Sequence, residues 1–330
     1  MAGCIAVKEY AAVLGKTSVT DWAMQLDAVP VAPTLSMLNG QWRQFNRVAE
    51  LEPGMSFAAR LVALLAGLWP QLTAAPAAAP VLLVLPEQLA SDPLLAQFVS
   101  SLQQAFPTLL SHCACQIFPY GCSAALLALS AARQLLEEGT PVVWLIAVDS
   151  PVTSYLPLAT GASASNGQAV DLTDALQTEQ VLWSEGAVAM ALNQDDAGLR
   201  CQHLAADATV SHTSADLAMG HLFVGAAQGS KGPLSQLYLP DNGSTAVTAC
   251  WQRHYSCLAP KIDMSTQLHF PAYYTGELGA AGGVYRLLHL YLGYKSGSLN
   301  GATLQCEISP RLYRAVAVFS WQHASSISEF

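Results

Sequence analysis

One cysteine stands where nucleophilic chemistry would place it. In Tyr120-Gly121-Cys122-Ser123 the thiol falls between an apolar, strand-like run and a strongly helical stretch. A cysteine on such a turn meets the unpaired amides and the positive dipole end of the helix, which stabilise a thiolate. The same amides can receive an oxyanion, so this is the placement a nucleophilic cysteine needs. The plainer reading is a small residue at a tight strand–helix junction, and the local sequence leaves both open. His112, Cys113 and Cys115 form a second candidate, a metal cluster. A lone C-x-C has no second ligand pair at zinc-site spacing and its alternation fits a strand, so neither a metal nor a cofactor site is expected. Most of the other cysteines lie in apolar segments and read as small buried hydrophobes.

The elements around Cys122 follow from pattern. Cys113 to Tyr120 reads as a strand, Ser123 to Glu138 as a helix ended by Gly139, and Val142 to Val148 as a buried strand, together a βαβ unit. Upstream, Cys4 to Leu14 reads as a strand, followed by a Pro-, Thr- and Ser-rich loop to about Gly40. Helices are expected over Met55 to Leu72 and Pro93 to Phe106, with a short buried strand at Val81 to Leu85. A small-residue loop spans 156–170, and Gly186 to Leu192 is a further buried strand. After residue 195 the alternation restarts. Strands are expected at Cys201 to Ala206, Ala246 to Trp251, Gln267 to Tyr273, Ala302 to Ile308 and Tyr313 to Phe319. Helices are expected near Asp216 to Gly225 and at Gly279 to Leu292, with a loop through Gly243. Two units, 1–195 and 196–330, are the natural division.

Composition narrows the function. Of 330 residues, 52% are hydrophobic and only 11% charged, which suits a large core and a partly apolar surface covered by a partner. A net charge of −9 with 14 Lys and Arg excludes the clustered positive charge that nucleic acid or an anionic membrane requires. The N-terminus lacks a signal-peptide pattern and no apolar run is long enough to span a bilayer, so a cytoplasmic protein is expected.

Four segments carry a resemblance. Gly121-Cys122-Ser123-Ala124-Ala125-Leu126-Leu127-Ala128-Leu129 resembles the ketosynthase motif A-C-S-S-S-L-V-A-L. Val142 to Ser150, ending Ala-Val-Asp-Ser, is similar to the strand that ends G-G-V-D-S in that family. Glu185 to Leu192 is similar to E-G-A-G-A-L-V-L, and Tyr274 to Gly282 to T-G-H-T-L-G-A-A-G. In order and spacing the four resemble the β-ketoacyl synthases of the thiolase superfamily. The resemblance implies an α/β protein with the five-layered αβαβα fold of two βαβαβ-type halves.

It also implies what is missing. Ketosynthases condense a cysteine-bound acyl group with malonyl on an acyl carrier protein, using two histidines and a lysine. Aligned on Gly279 to Gly282, the second histidine falls on Gly276 and the lysine on Pro271. The first histidine falls on Cys250, or on His254 after a shift of four. The gating phenylalanine of the C-terminal glycine loop is matched to Phe319, with bulkier neighbours through His323. The expectation is therefore a subunit resembling a chain length factor, paired as a heterodimer with a catalytic ketosynthase. It would help shape the cavity for a phosphopantetheine-linked acyl chain, with Phe118 and Tyr120 near the subunit interface. The alternative is a cysteine-dependent acyltransferase using Cys122 with His254 or His323 as base.

Overall fold

The computed structural model describes residues 3–15, 34–38, 41–52, 54–73, 76–152, 155–156, 181–208 and 212–324. All but residue 156 of the small-residue loop expected at 156–170 lies outside the described residues, as does most of the loop before Gly40.

Ten strands form two half-sheets of identical design. In the first the order is β5 (Gln116–Phe118), β4 (Val81–Val84), β6 (Val143–Asp149), β9 (Gly186–Asp195), β1 (Cys4–Leu14). In the second it is β12 (Gln267–His269), β11 (Leu234–Tyr238), β13 (Ala302–Ile308), β14 (Tyr313–Gln322), β10 (Gly198–Ala208). In each half three neighbouring strands run parallel, and the fourth is antiparallel to both of its neighbours. The halves touch through one pairing, Ile5 with Leu199 on β1 and β10. The chain crosses between them at Asp196-Ala197.

Three separate cores show the layering. The central core joins α3 (Ala124–Glu137) and α7 (Ala280–Ser296) to one face of each half-sheet, through Leu145 and Met190 on one side and Ala315, Ala317 and Phe319 on the other. The opposite face of the first half, including Leu83, Ile146 and Ala189, packs on α1 (Phe57–Ala66) and α2 (Asp92–Ala105). The opposite face of the second, including Leu304, Val316 and Val318, packs on α4 (His212–Gly229). This is the five-layered αβαβα arrangement. Strands covered on both faces are buried at every position, as β6 and β13 are; on β13 one face carries Thr303, Gln305 and Glu307, each buried with a partner on α7.

Several expectations are corrected. Ala246–Trp251 is not a strand: it lies within helix α5 (Thr245–Gln252), begun at Ser244 after an Asn242-Gly243 turn. The supposed loop before Gly243 contains β11, a five-residue central strand too short for its periodicity to register. Gln267–Tyr273 is a three-residue strand followed by the short helix α6 (Ala272–Thr275). The strand before Cys122 is only Gln116–Phe118; Cys115 Sγ instead accepts the Val81 amide and His112 Nδ1 accepts the Ala114 amide. A small second sheet of β2 (Thr34–Leu38), β3 (Gln41–Asn46), β7 (Tyr155–Leu156) and β8 (Trp183–Ser184) lies beside the site described below. No helix among the described residues is long and apolar enough to cross a membrane.

Candidate functional site

Cys122 sits in a one-turn 3-10 segment, Gly121–Ser123, that leads into α3. The turn is pinned from both sides. Gly121 donates its amide to Leu85 at the end of β4, and it adopts φ +69°, a conformation that favours glycine. A Cβ there would lie 3.1 Å from both Glu87 Cγ and Ser309 Oγ. Ser123 donates its hydroxyl to the carbonyls of Glu307 and Tyr313, 3.0 Å each, and its amide to Ser309 Oγ at 2.9 Å. The thiol is therefore positioned by residues of the other half. Gly283 on α7 allows the third close approach: a Cβ there would stand 2.5 Å from the Cys122 carbonyl oxygen.

The thiol opens on a cleft of about 320 Å³. The thiol donates toward Glu277 Oε1 at 3.8 Å. Glu277 is held firmly. Its amide donates to the Leu182 carbonyl and its carbonyl accepts from Ser184 on β8. Its side chain accepts from the Gly279 amide and from Asn242 Nδ2, both at 2.8 Å. Asn242 is set by the turn after β11, where its own Oδ1 accepts the Ser244 amide. Asp149, at the end of β6, accepts the Ala280 amide at 2.7 Å and so caps α7 across the cleft. Glu87 completes the acidic lining and accepts the Arg311 amide from the β13–β14 turn.

Burial first, and then these carboxyl groups, set the protonation of the site. Burial, followed by the charge of Glu277, pushes the Cys122 thiol well above its ordinary range; Arg286 opposes the shift. Arg286 is itself held by a buried pair with Glu307, Nε to Oε1 2.7 Å. Burial raises Asp149 to about 8 against two backbone donors, with the charges of Glu277 and Glu87 adding to the effect. Glu87 is raised by burial too, opposed by the Arg311 amide and charge. Cys122 thus stands in the cleft as a neutral thiol donating toward Glu277 Oε1, not as the thiolate that its helix-start position alone implies.

Of the residues singled out in the sequence, Cys122 lines the cleft. Gly276 is the turn residue before Glu277, with φ +78°, and Pro271 begins α6. His254 does not join them. It follows the end of α5, and its ring packs on Gly220 of α4 with Nε2 buried and unbonded. The histidine assignment assumed a strand at Ala246–Ala249, and a helix there turns the register elsewhere. Cys250 packs against the C-terminal core, and His323 borders a separate cavity beside Trp321 and Tyr294. Phe319 is also corrected: it lies fully buried in mid-strand on β14, between Cys201 and Thr303, not in a loop. The segment bordering the cleft is the turn before that strand, through Pro310 and Arg311. Phe118 is on the edge strand β5 and Tyr120 stacks near Tyr313, ring centres 4.5 Å apart.

Two residues escaped the sequence reading. Thr275-Gly276-Glu277-Leu278-Gly279 is one residue shorter than the family motif, and aligning from its start rather than its end would have put Glu277 opposite the histidine. Asn242 carried a weaker signal, an Asp-Asn-Gly turn after a short apolar run that had not been read as a strand.

No protein-family model matches the chain, and no curated protein matches it in sequence. Solved structures do match over nearly the whole length. A ketosynthase (ApeO) in complex with its chain length factor (ApeC) from Xenorhabdus doucetiae aligns at TM-score 0.63 and 11% identity, covering 97% of this chain and 98% of that one. A type II polyketide synthase acyl-carrier protein in complex with its ketosynthase bound to the hexaketide aligns at TM-score 0.58 and 9% identity, covering 97% and 99%. OleA from Xanthomonas campestris aligns at 0.57 and 12%, covering 97% and 99%. At these identities the likeness establishes the fold: this chain has the thiolase-type fold of the ketosynthases.

Proposed function

We propose that this chain is a ketosynthase-like subunit of the chain length factor type. It pairs with a catalytic ketosynthase in carrier-protein-dependent polyketide or polyene elongation and helps shape the cavity for the growing acyl chain. One observation carries the reading. Glu277 is the group on the Cys122 thiol, and the other polar residues described along the cleft (Glu87, Gln88, Asp149, Ser184, Asn242, Ser244 and Arg311) include none of the histidines that condensation calls for as donors to a developing enolate. A carboxylate in that place repels both malonate and enolate. Losing even one preorganised donor costs about 10²–10³ in rate, so condensation by this chain alone is negligible. The fold likeness to ketosynthase complexes supports the reading, as does the position of β5 at the edge of the sheet among the described residues.

The test is co-expression with a ketosynthase from the same genome, followed by size-exclusion chromatography and mass spectrometry. The expected result is a stable one-to-one complex that extends a carrier-bound acyl chain, with the lone chain inactive. A lone chain that condenses malonyl units by itself would overturn the proposal. A second reading, acyl transfer at Cys122, is favoured by the 3.8 Å approach of the thiol to Glu277 and is developed next.

A further inference from the structure

We propose that Glu277 is the proton acceptor for Cys122 and restricts acyl loading in this cleft to thioesters whose acyl group carries no carboxylate. The inference concerns this chain's own cleft and stands or falls separately from the partner role above.

The geometry is that of a nucleophile with an oriented base. The thiol points at Glu277 Oε1, and that carboxylate is fixed by Asn242 Nδ2 and the Gly279 amide, so it cannot swing away. Nucleophile, base and orienting group are in sequence, with the sulfur contact at the longer distance expected before substrate binds. The walls near the thiol are apolar through Val181, Trp183 and Ile308, which suits an acyl chain. Charge decides which chain. Glu277 and Glu87 line the cleft, whereas Asp149 beside them, raised to about 8 by burial, adds little charge there at neutral pH. Of the cations that act on these groups, Arg286 on α7 is held by Glu307 of β13, Arg314 on β14 acts on Glu87, and Arg311 of the β13–β14 turn lines the cleft beside Glu87. A malonyl carboxylate would enter against this field, while a simple alkanoyl group meets no such barrier.

The step balances without another reactant than an acyl thioester. Cys122 Sγ attacks the carbonyl carbon as its proton passes to Glu277. The new carbon–sulfur bond to Cys122 forms, the bond to the leaving thiol breaks, and Glu277 returns the proton to that leaving sulfur. The products are acyl-Cys122 and a neutral thiol.

The test uses the purified chain as isolated, with any partner retained, and intact-mass spectrometry. Probes are the hexanoyl and malonyl thioesters of N-acetylcysteamine, with iodoacetamide alkylation across pH as an independent report on the thiol. Wild type is expected to gain a hexanoyl group at least tenfold faster than a malonyl group, and Cys122→Ala neither. Glu277→Gln separates the roles by sign. With the charge gone, alkylation accelerates and its pH profile moves down; with the base gone, hexanoyl transfer slows at least tenfold. Transfer that keeps pace or quickens in Glu277→Gln would overturn the proposal, as would absent loading or equal malonyl loading in wild type. If the Gln variant does not fold, Glu277→Asp replaces it: slower transfer with an unmoved alkylation profile supports the base role, and unchanged transfer overturns it.

Discussion

Asp149 and Cys122 show how burial changes what a side chain does. Both are driven toward their neutral forms, the first to about 8. For Asp149 the unfolded value is near 3.9. Between those values the folded chain holds a proton that the unfolded chain has released, so stability falls as pH rises through the window. Asp149→Asn keeps an acceptor for the Ala280 amide and removes the titration. Its urea midpoint is therefore expected to fall less than that of wild type between pH 5 and 8, and equal slopes would contradict the assignment. Cys122→Ala belongs to the same scale. In an active complex it is expected to lower condensation by less than about tenfold, because the groups facing the thiol do not complete a decarboxylation site. Replacing the partner's nucleophile is expected to abolish product, and loss of product with Cys122→Ala in an intact dimer would assign condensation to this chain.

Among the elements, the turn from β5 into α3 concentrates the constraints. Gly121→Ala forces a side chain into a positive-φ position against Glu87 and Ser309, so it is expected to lower the melting temperature and shift Cys122 reactivity together. The neighbouring strand has a different exposure. Among the described residues β5 pairs only with β4, and half-buried Phe118 packs on the central core. An uncovered apolar edge is a pairing site. Phe118→Asp is expected to split the complex in size-exclusion chromatography while circular dichroism stays native, and an unchanged elution volume would remove β5 from the interface. The buried pair of Arg60 on α1 with Glu185, just before β9, ties outer helix to sheet, with Ser150 and the Val48 amide satisfying the same carboxylate. Glu185→Gln leaves a buried guanidinium without its counter-charge, and a loss of about 3–5 kcal/mol in denaturant unfolding is expected.

At the scale of the whole molecule, charge governs encounter. Acyl carrier proteins are generally acidic, and this chain has a net charge of −9. Long-range steering between the two is therefore weak or repulsive, and carrier docking is expected mainly on the proposed ketosynthase partner. Cross-linking from a carrier's phosphopantetheine thiol should capture the partner in preference to this chain, and selective capture of this chain would contradict that.

What the sequence determined by itself is local and periodic. Continuous apolar runs such as Val142 to Val148, covered on both faces, could only be central strands, and the helix after Cys122 was bounded by its own glycines. Order and spacing of four short motifs then led to the layered fold. The site was decided by tertiary structure, because its members come from elements far apart in the chain. Asn242 and Glu277 reach Cys122 only because α7 packs across the turn at Gly283 and the β11 turn faces the same cleft. His254 and Phe319 carried the expected side-chain chemistry, but a helix in place of a strand, and a mid-strand position in place of a loop, directed them into packing. Side-chain type is written in sequence; which groups share a low-dielectric cleft, and so which of them keep their protons, follows only from how the two halves pack.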